Sequence, residues 1–102
     1  MPRASRMPTL SGKETVILEL LLEGHEMYGL ELVDASRRRL KRGTVYVTLP
    51  RMEEKGYVQS RLEVPDRSTP GLPRRLYRAT ATGRQLYDLL TVVRAKLRLE
   101  PA

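Results

Sequence analysis

The sequence contains no cysteine, no tryptophan and no phenylalanine, and His25 is its only histidine. Without cysteine, the chain can form no disulfide and carry no thiol redox chemistry, and one histidine alone cannot build a Cys/His zinc site. The sequence offers no nucleophile paired with a base: cysteine is missing, the single histidine lies in a turn, and the carboxylates are scattered over helix faces that we expect to be exposed. We therefore expect no enzyme activity, no metal and no cofactor.

Long hydrophobic runs are missing as well. No apolar stretch is long enough to span a bilayer, and the start of the chain lacks the apolar segment of a signal peptide. We expect a cytoplasmic protein with no membrane partner. A chain of 102 residues has the size of one domain, and the small core of such a domain leaves stability marginal unless self-association adds burial.

Acidic residues are outnumbered, which gives a formal net charge of +7 and an isoelectric point near 10.2. Such a balance is typical of proteins with a phosphate-rich partner, although acidic lipid surfaces attract the same charge. Residues 37–78 contain twelve basic and four acidic residues, so this segment accounts for the whole net positive charge.

The hydrophobic pattern predicts the order helix, helix, helix, strand, strand, helix, which is a mainly α fold with a small β-hairpin. Residues 1–9 form a basic arm that we expect to be flexible. The first helix opens at Ser11, where Glu14 completes an S-x-x-E capping box, and it ends at Gly24. The second helix is predicted over residues 28–37.

The third helix, predicted over residues 42–55, has two different faces. Val45, Leu49 and Met52 lie on one stripe, which predicts a core-facing side. The flanks carry small hydroxyl, methyl and cationic groups: Thr44, Val47, Thr48, Arg51 and Lys55. Arginine can bind guanine bidentately, threonine reaches base edges or phosphates, and valine can meet a thymine methyl. An ordinary solvated helix face is the alternative interpretation of the same residues.

The start of this helix carries Lys41 and Arg42 in place of the usual Ser, Thr or Asp. Positive charge there opposes the helix dipole, which is understandable if a phosphate docks beside the free N–H groups. Pro50 lies inside the same helix and removes the hydrogen bond to the Tyr46 carbonyl. We therefore expect the helix to bend or to be shortened there.

A hairpin follows, with strands predicted over residues 57–64 and 75–79. Val58 and Leu62 fall on one side of the first strand, and the second carries Leu76. The tip between the strands contains three prolines and a glycine, which indicates a projecting loop. Arginines cluster around it, and four of them predict a wing along a phosphate backbone: Arg61, Arg67, Arg74 and Arg75.

The last helix begins after Thr80, a candidate N-cap. Leu86, Leu90, Val93 and Leu97 recur at spacings of four, three and four, which is a heptad seam, and Leu89 and Val92 broaden it. We expect this helix to pack on its own domain and also on a second copy of the chain, with a simple core helix as the alternative. The expected dimer interface consists of Leu86, Leu89, Leu90, Val93 and Leu97.

Five segments together resemble the PadR family of bacterial transcriptional regulators. They are residues 17–22, 27–32, 43–46, 51–58 and 75–80. The resemblance covers about residues 10–99, and the ordered set is more specific than any single motif. The short chain is similar to the family branch in which a single C-terminal helix forms the dimer.

The resemblance implies a winged helix-turn-helix whose third helix enters the major groove, usually as a repressor at a palindromic operator. By resemblance, Thr44, Tyr46 and Arg51 match positions of the recognition helix, and Arg74 and Arg75 match the wing. Some members are released by a phenolic or drug-like effector, and those that bind flat aromatic drugs between subunits use tryptophan. Because this chain has no tryptophan, an effector is left open and no ligand is assigned.

The sequence thus predicts a flexible arm (residues 1–9), a winged helix-turn-helix domain (10–79) and a C-terminal dimerisation helix (80–102). We expect a sequence-specific, double-stranded DNA-binding transcriptional regulator that acts as a homodimeric repressor on an inverted-repeat operator. A winged-helix module that binds protein or RNA without operator specificity is the alternative. The expected DNA contacts of the third helix are Lys41, Arg42, Thr44, Tyr46, Val47, Thr48, Arg51 and Lys55, and those of the wing are Arg61, Arg67, Arg74 and Arg75.

Overall fold

The computed structural model describes residues 9–65, 68 and 71–99. Within these ranges the chain forms four helices and a three-stranded antiparallel sheet, which confirms the predicted mainly α winged-helix class. The elements in chain order are α1 (Gly12–Gly24), β1 (Met27–Tyr28), α2 (Gly29–Ala35), α3 (Arg42–Glu54), β2 (Val58–Glu63), β3 (Arg74–Ala79) and α4 (Ala81–Leu99). No helix in the described ranges is both long and apolar enough to cross a membrane.

The sheet contains one strand that the sequence pattern does not predict. β1 pairs with the outer edge of β3, with Met27 opposite Tyr77 and Tyr28 opposite Leu76, so the strand order is β1-β3-β2. Because Tyr28 belongs to this strand, α2 begins one residue later than predicted. Its start is fixed by the Tyr28 N–H, which donates to Glu31 Oε1 at 2.8 Å. The helix ends at Ala35, two residues before the predicted end.

The starts of α1 and α4 agree with their predicted caps. Ser11 Oγ accepts from the Glu14 N–H at 3.1 Å, and the Ser11 N–H donates to Glu14 Oε1 at 2.8 Å, which is the predicted capping box. Thr80 Oγ1 accepts from the Gly83 N–H at 3.0 Å. Gly83 also permits α4 to approach the end of α3, because a Cβ at this position would lie 2.2 Å from the Tyr57 carbonyl oxygen.

Pro50 does not shorten α3, which continues past it to Glu54. The helix ends through Gly56, whose φ of 82° lies in the left-handed region that glycine adopts without steric cost. The Tyr57 N–H then donates to the Met52 carbonyl at 2.9 Å, a bond that closes the helix in the manner of a Schellman motif.

The core lies between the helices and one face of the sheet. The predicted stripe of Val45, Leu49 and Met52 is fully buried there, together with Val58. Leu62 was expected on the same apolar side as Val58, but it is 49% exposed. The reason is its register: Leu62 pairs with Arg75, close to the loop end of the hairpin. The core cluster consists of Leu10, Ile17, Leu18, Leu21, Leu32, Leu40, Val45, Leu49, Met52, Tyr57, Val58, Tyr77 and Leu86.

Candidate nucleic-acid interface

The outer face of α3 carries most of the predicted base-contacting residues, and part of it is exposed. Tyr46 and Val47 are about half-exposed, at 49% and 54%. Arg51 is exposed on the same helix, and Thr44 and Thr48 are half-buried on its flanks. Among the described residues, no carboxylate lies within ion-pair distance of Arg51. The face thus presents an unneutralised guanidinium beside methyl and hydroxyl groups.

The first residues of α3 extend this surface. Lys41 is the N-cap residue and offers no side-chain hydrogen bond to the helix, and Arg42 follows as the first helical residue. Both are exposed, and the first turn contains no acidic residue. The free N–H groups of this turn and two cations therefore face solvent together, an arrangement that favours an anion.

Lys55, at the other end of α3, is placed differently from Arg51. Its Nζ lies 2.8 Å from Glu14 Oε2, and Glu14 is only 5% exposed. The ammonium group also lies 5.7 Å from the centre of the Tyr57 ring. Lys55 is thus held by its own chain, and Glu14 connects the capped start of α1 to the end of α3.

The pKa of Glu14 shows which effect dominates at this contact. Burial alone would raise the pKa, but the hydrogen bonds from Lys55 and from the Ser11 N–H outweigh it and hold the pKa of Glu14 below its ordinary value. The ionised form is therefore favoured by folding. Its contribution to stability is complete above the unfolded-state pKa and is lost as the pH falls through the folded-state pKa.

We expect Glu14→Gln to lower the free energy of unfolding by about 1 to 2 kcal/mol near neutral pH, because a charged hydrogen bond is lost. The difference from wild type should shrink at an acid pH below the folded-state pKa of Glu14, where the wild-type side chain is neutral as well. Urea unfolding at the two pH values measures this. Glu23→Gln, at an exposed position of the same helix, is the control. A deficit that persists unchanged in acid would contradict the assignment.

The base of the hairpin loop carries two of the predicted wing arginines at the start of β3. The Arg74 guanidinium lies 4.8 Å from the centre of the Tyr28 ring, and Arg75 Nη1 donates to Ser60 Oγ at 3.1 Å. The Tyr28 hydroxyl donates to a carboxylate oxygen of Glu63, which raises the pKa of Tyr28. The contacts of Tyr28 with Arg74 and Glu63 join the wing base to β1, the strand that precedes α2.

Arg61, another predicted wing residue, is not brought to this place. Arg61 pairs with Leu76 on the opposite face of the sheet from Arg75. There it makes a bidentate ion pair with Glu26, with Nε–Oε2 at 2.8 Å and Nη2–Oε1 at 2.9 Å, and this pair lowers the pKa of Glu26. Arg67 lies outside the described residues.

A groove of about 700 Å³ joins α2, α3 and the wing base, and no sequence pattern predicts it. Gly29 lies at its floor, where a Cβ would come within 2.9 Å of the Tyr46 ring. The absence of a side chain at Gly29 therefore lets Tyr46 lie against the start of α2. Arg74 and Arg75 also line this groove, which therefore brings Tyr46 of α3 together with both arginines.

The predicted dimer residues lie at different depths along α4. Leu86 is buried in the core of its own subunit and Leu90 packs partly against that core. Farther along the helix, Val93 is 43% and Leu97 69% exposed, and Leu89 and Val92 are exposed as well. The helix packs against α1 in its first half, and its later apolar side chains face outward from the described chain.

Three helices followed by a β-hairpin, with a short strand completing the sheet, define a winged helix-turn-helix protein. The sequence profile of the transcriptional regulator PadR-like family matches residues 17–89. The chain belongs to this family of transcriptional regulators, which confirms the resemblance seen in its motifs.

Solved structures agree with this assignment. The chain is similar to a PadR family transcription regulator from Clostridium difficile R20291, with 28% identity over 82% of this chain and 88% of the other and a TM-score of 0.69. A regulator from Eggerthella lenta DSM 2243 has 24% identity over 81% and 71% of the two chains and a TM-score of 0.67. Bacillus subtilis PadR, solved in complex with operator DNA, has 19% identity over 94% and 52% and a TM-score of 0.73. No curated protein sequence matches the chain.

Proposed function

We propose that this regulator binds double-stranded DNA in a sequence-specific manner and acts in the bacterial cytoplasm as a homodimeric repressor on an inverted-repeat operator. The observation that carries this proposal is the groove in which Tyr46 of α3 lies together with the two arginines of the wing base, on the helix whose outer face is exposed. None of its described cations forms an ion pair with a carboxylate of the described chain, although Glu31 and Asp34 also line the groove. The similar fold of Bacillus subtilis PadR, solved with operator DNA, supports the same partner.

Within this surface, we assign base contacts to the middle of α3 and phosphate contacts to its ends. Thr44, Val47, Thr48 and Arg51 would face base edges, and Lys41 and Arg42 would bind a phosphate at the helix start. Arg74, Arg75 and Arg67 would follow the backbone from the wing, with Tyr46 between the two groups. We assign Lys55 and Arg61 to holding the fold, because each is bound by a carboxylate of its own chain.

Burial supports the proposed domain organisation. Residues 10–79 form the DNA-binding unit, and α4, within residues 80–102, joins it to a second copy. The exposed apolar side chains of α4 are the surface that such a contact would bury, with Val93 and Leu97 at its centre and Leu89 beside them. Leu86 and Leu90 would support the contact from within the subunit.

A protein-interaction module is the second candidate, and one observation favours it. Leu30 and Leu72 are exposed at the groove between α2 and the wing, and such apolar side chains suit a protein partner better than a phosphate backbone. The basic character of residues 37–78 favours nucleic acid instead.

The proposal is tested by comparing Arg51→Ala with Arg75→Ala. The test uses the fragment that the protein retains most tightly from its own genome and a random duplex of equal length. Arg51→Ala should lower the ratio of the two affinities by about 5- to 150-fold, since a bidentate base contact is worth about 1–3 kcal/mol. Arg75→Ala should weaken both complexes nearly equally. An unchanged ratio for Arg51→Ala would contradict the base contact, and failure of wild type to bind any duplex would contradict the proposed function itself.

A further inference from the structure

The turn between α2 and α3 has an unusual backbone for its sequence. Arg37 and Arg38 have φ angles of 55° and 68°, so two consecutive non-glycine residues lie in the left-handed region. A side chain other than glycine, asparagine or aspartate there costs about 1–2 kcal/mol per residue. Glycine would remove this strain, yet both positions carry a long cationic side chain.

The turn is nevertheless tightly fixed. Ser36 is completely buried, and its hydroxyl donates to the Val33 carbonyl at 2.8 Å and accepts from the Leu40 N–H at 3.0 Å. Leu40 is only 1% exposed and belongs to the core cluster. Arg39 is tethered as well, because its Nε donates to the Ser36 carbonyl at 3.2 Å. The turn is thus anchored at both ends, and its arginine side chains extend from a fixed backbone.

The charges of the turn are not balanced by the rest of the described chain. Arg37, Arg38 and Arg39 are all exposed, and within residues 9–65, 68 and 71–99 no carboxylate forms an ion pair with any of them. Lys41 and Arg42 follow directly, so five cations occupy six positions. A single cation would suffice to complement the C-terminal dipole of α2. The helix end alone does not account for three arginines.

We propose that the turn of Arg37, Arg38 and Arg39 is a second phosphate-binding surface, which holds the backbone of duplex DNA beside the groove that α3 enters. This inference rests on the proposed function and extends it to residues outside α3 and the wing. The turn leads directly into Lys41 and the start of α3. A DNA strand whose phosphate reaches that helix start would therefore also pass the turn. Guanidinium groups match phosphate oxygens bidentately, which suits arginine better than lysine at these positions. The contacts add affinity but carry no sequence information.

Arg37→Gln/Arg38→Gln tests the inference, with Arg84→Gln/Arg94→Gln as the matched control. The control removes the same charge from exposed positions of α4. Fluorescence anisotropy with a random duplex over a salt series gives the slope of log affinity against log salt. We expect the steepness of this slope to fall by about 3.6 in the turn variant, because the dimer loses four phosphate contacts and each removes about 0.9. The control should stay close to wild type, and the ratio of operator to random affinity should not change in either variant.

A second variant separates charge from backbone strain. Arg37→Gly/Arg38→Gly removes both side chains and fits the left-handed backbone without steric cost. We expect it to lose DNA affinity as the glutamine variant does, with a thermal unfolding midpoint no lower than that of wild type. A glycine variant that is folded and binds DNA like wild type would overturn the inference.

The remaining outcomes distinguish the two proposals. A wild-type protein that binds no duplex overturns both the proposed function and this inference. Steep salt dependence in wild type, together with a turn variant that matches its control, overturns this inference alone. A turn variant that is weaker but has the wild-type slope also overturns it, since the two side chains would then act without contacting phosphate.

Discussion

Val93→Asp/Leu97→Asp should convert the regulator from a dimer into a folded monomer. Both side chains are exposed in the isolated subunit, at 43% and 69%, so aspartate is tolerated there within one chain. In the proposed dimer, however, these positions lie in the apolar contact between two copies of α4. Unpaired carboxylates buried in that contact cost several kcal/mol, which a small interface cannot offset.

Sedimentation of wild type and variant at micromolar concentration measures the change, after circular dichroism has shown that the variant keeps its helices. Thr82→Asp/Gln85→Asp is the matched control, because it places the same charge at exposed positions near the start of α4. We expect the control to remain a dimer. A monomeric wild type, or a folded Val93→Asp/Leu97→Asp variant that stays dimeric, would show that the interface lies on another surface.

Local patterns predicted the parts of the fold whose cause is itself local. The capping box at Ser11 and Glu14 depends on residues three positions apart, so the spacing of serine and glutamate is enough to predict it. The buried stripe of Val45, Leu49 and Met52 follows from helical periodicity alone, and all three side chains are buried.

Features that depend on distant partners could not be predicted in the same way. β1 has only two residues, too few to show an alternation, and exists because β3 offers a free edge. The partners of the two ion pairs are also distant in sequence: Lys55 is 41 residues from Glu14 and Arg61 is 35 residues from Glu26. Helical periodicity marked Lys55 as a candidate DNA contact, and the arginine cluster of the hairpin marked Arg61. Only the fold shows that carboxylates hold them.

The heptad seam of α4 shows what hydrophobic periodicity leaves undetermined. The spacing identifies an apolar stripe but does not say which apolar surface covers each part of it. Leu86 is covered by the core of its own subunit, whereas Leu97 remains exposed.

Pro50 was expected to bend or shorten α3, and shortening does not occur because the helix continues through it to Glu54. Two further expectations, the arm of residues 1–9 and the wing contact of Arg67, fall wholly or mostly outside the described residues.

The symmetry of the proposed dimer should determine which DNA site the protein selects. One recognition helix covers too few base pairs to select an operator from a genome, and two helices related by a two-fold axis read two half-sites. Their separation should be about one helical turn, roughly 34 Å, or a multiple of it, and the operator should therefore be an inverted repeat. Affinity for this site should exceed affinity for random DNA by at least about 10³-fold.

Sequencing the DNA fragments that the purified protein retains from its own genome shows whether two copies of α3 read DNA as a symmetric pair. We expect the retained fragments to share one inverted repeat whose half-sites are centred about one helical turn apart, or a multiple of a turn. A synthetic duplex with a single half-site should bind much more weakly than the complete repeat. Retention of all fragments alike, or an enriched site without two-fold symmetry, would contradict the account of a dimer that reads DNA through α3.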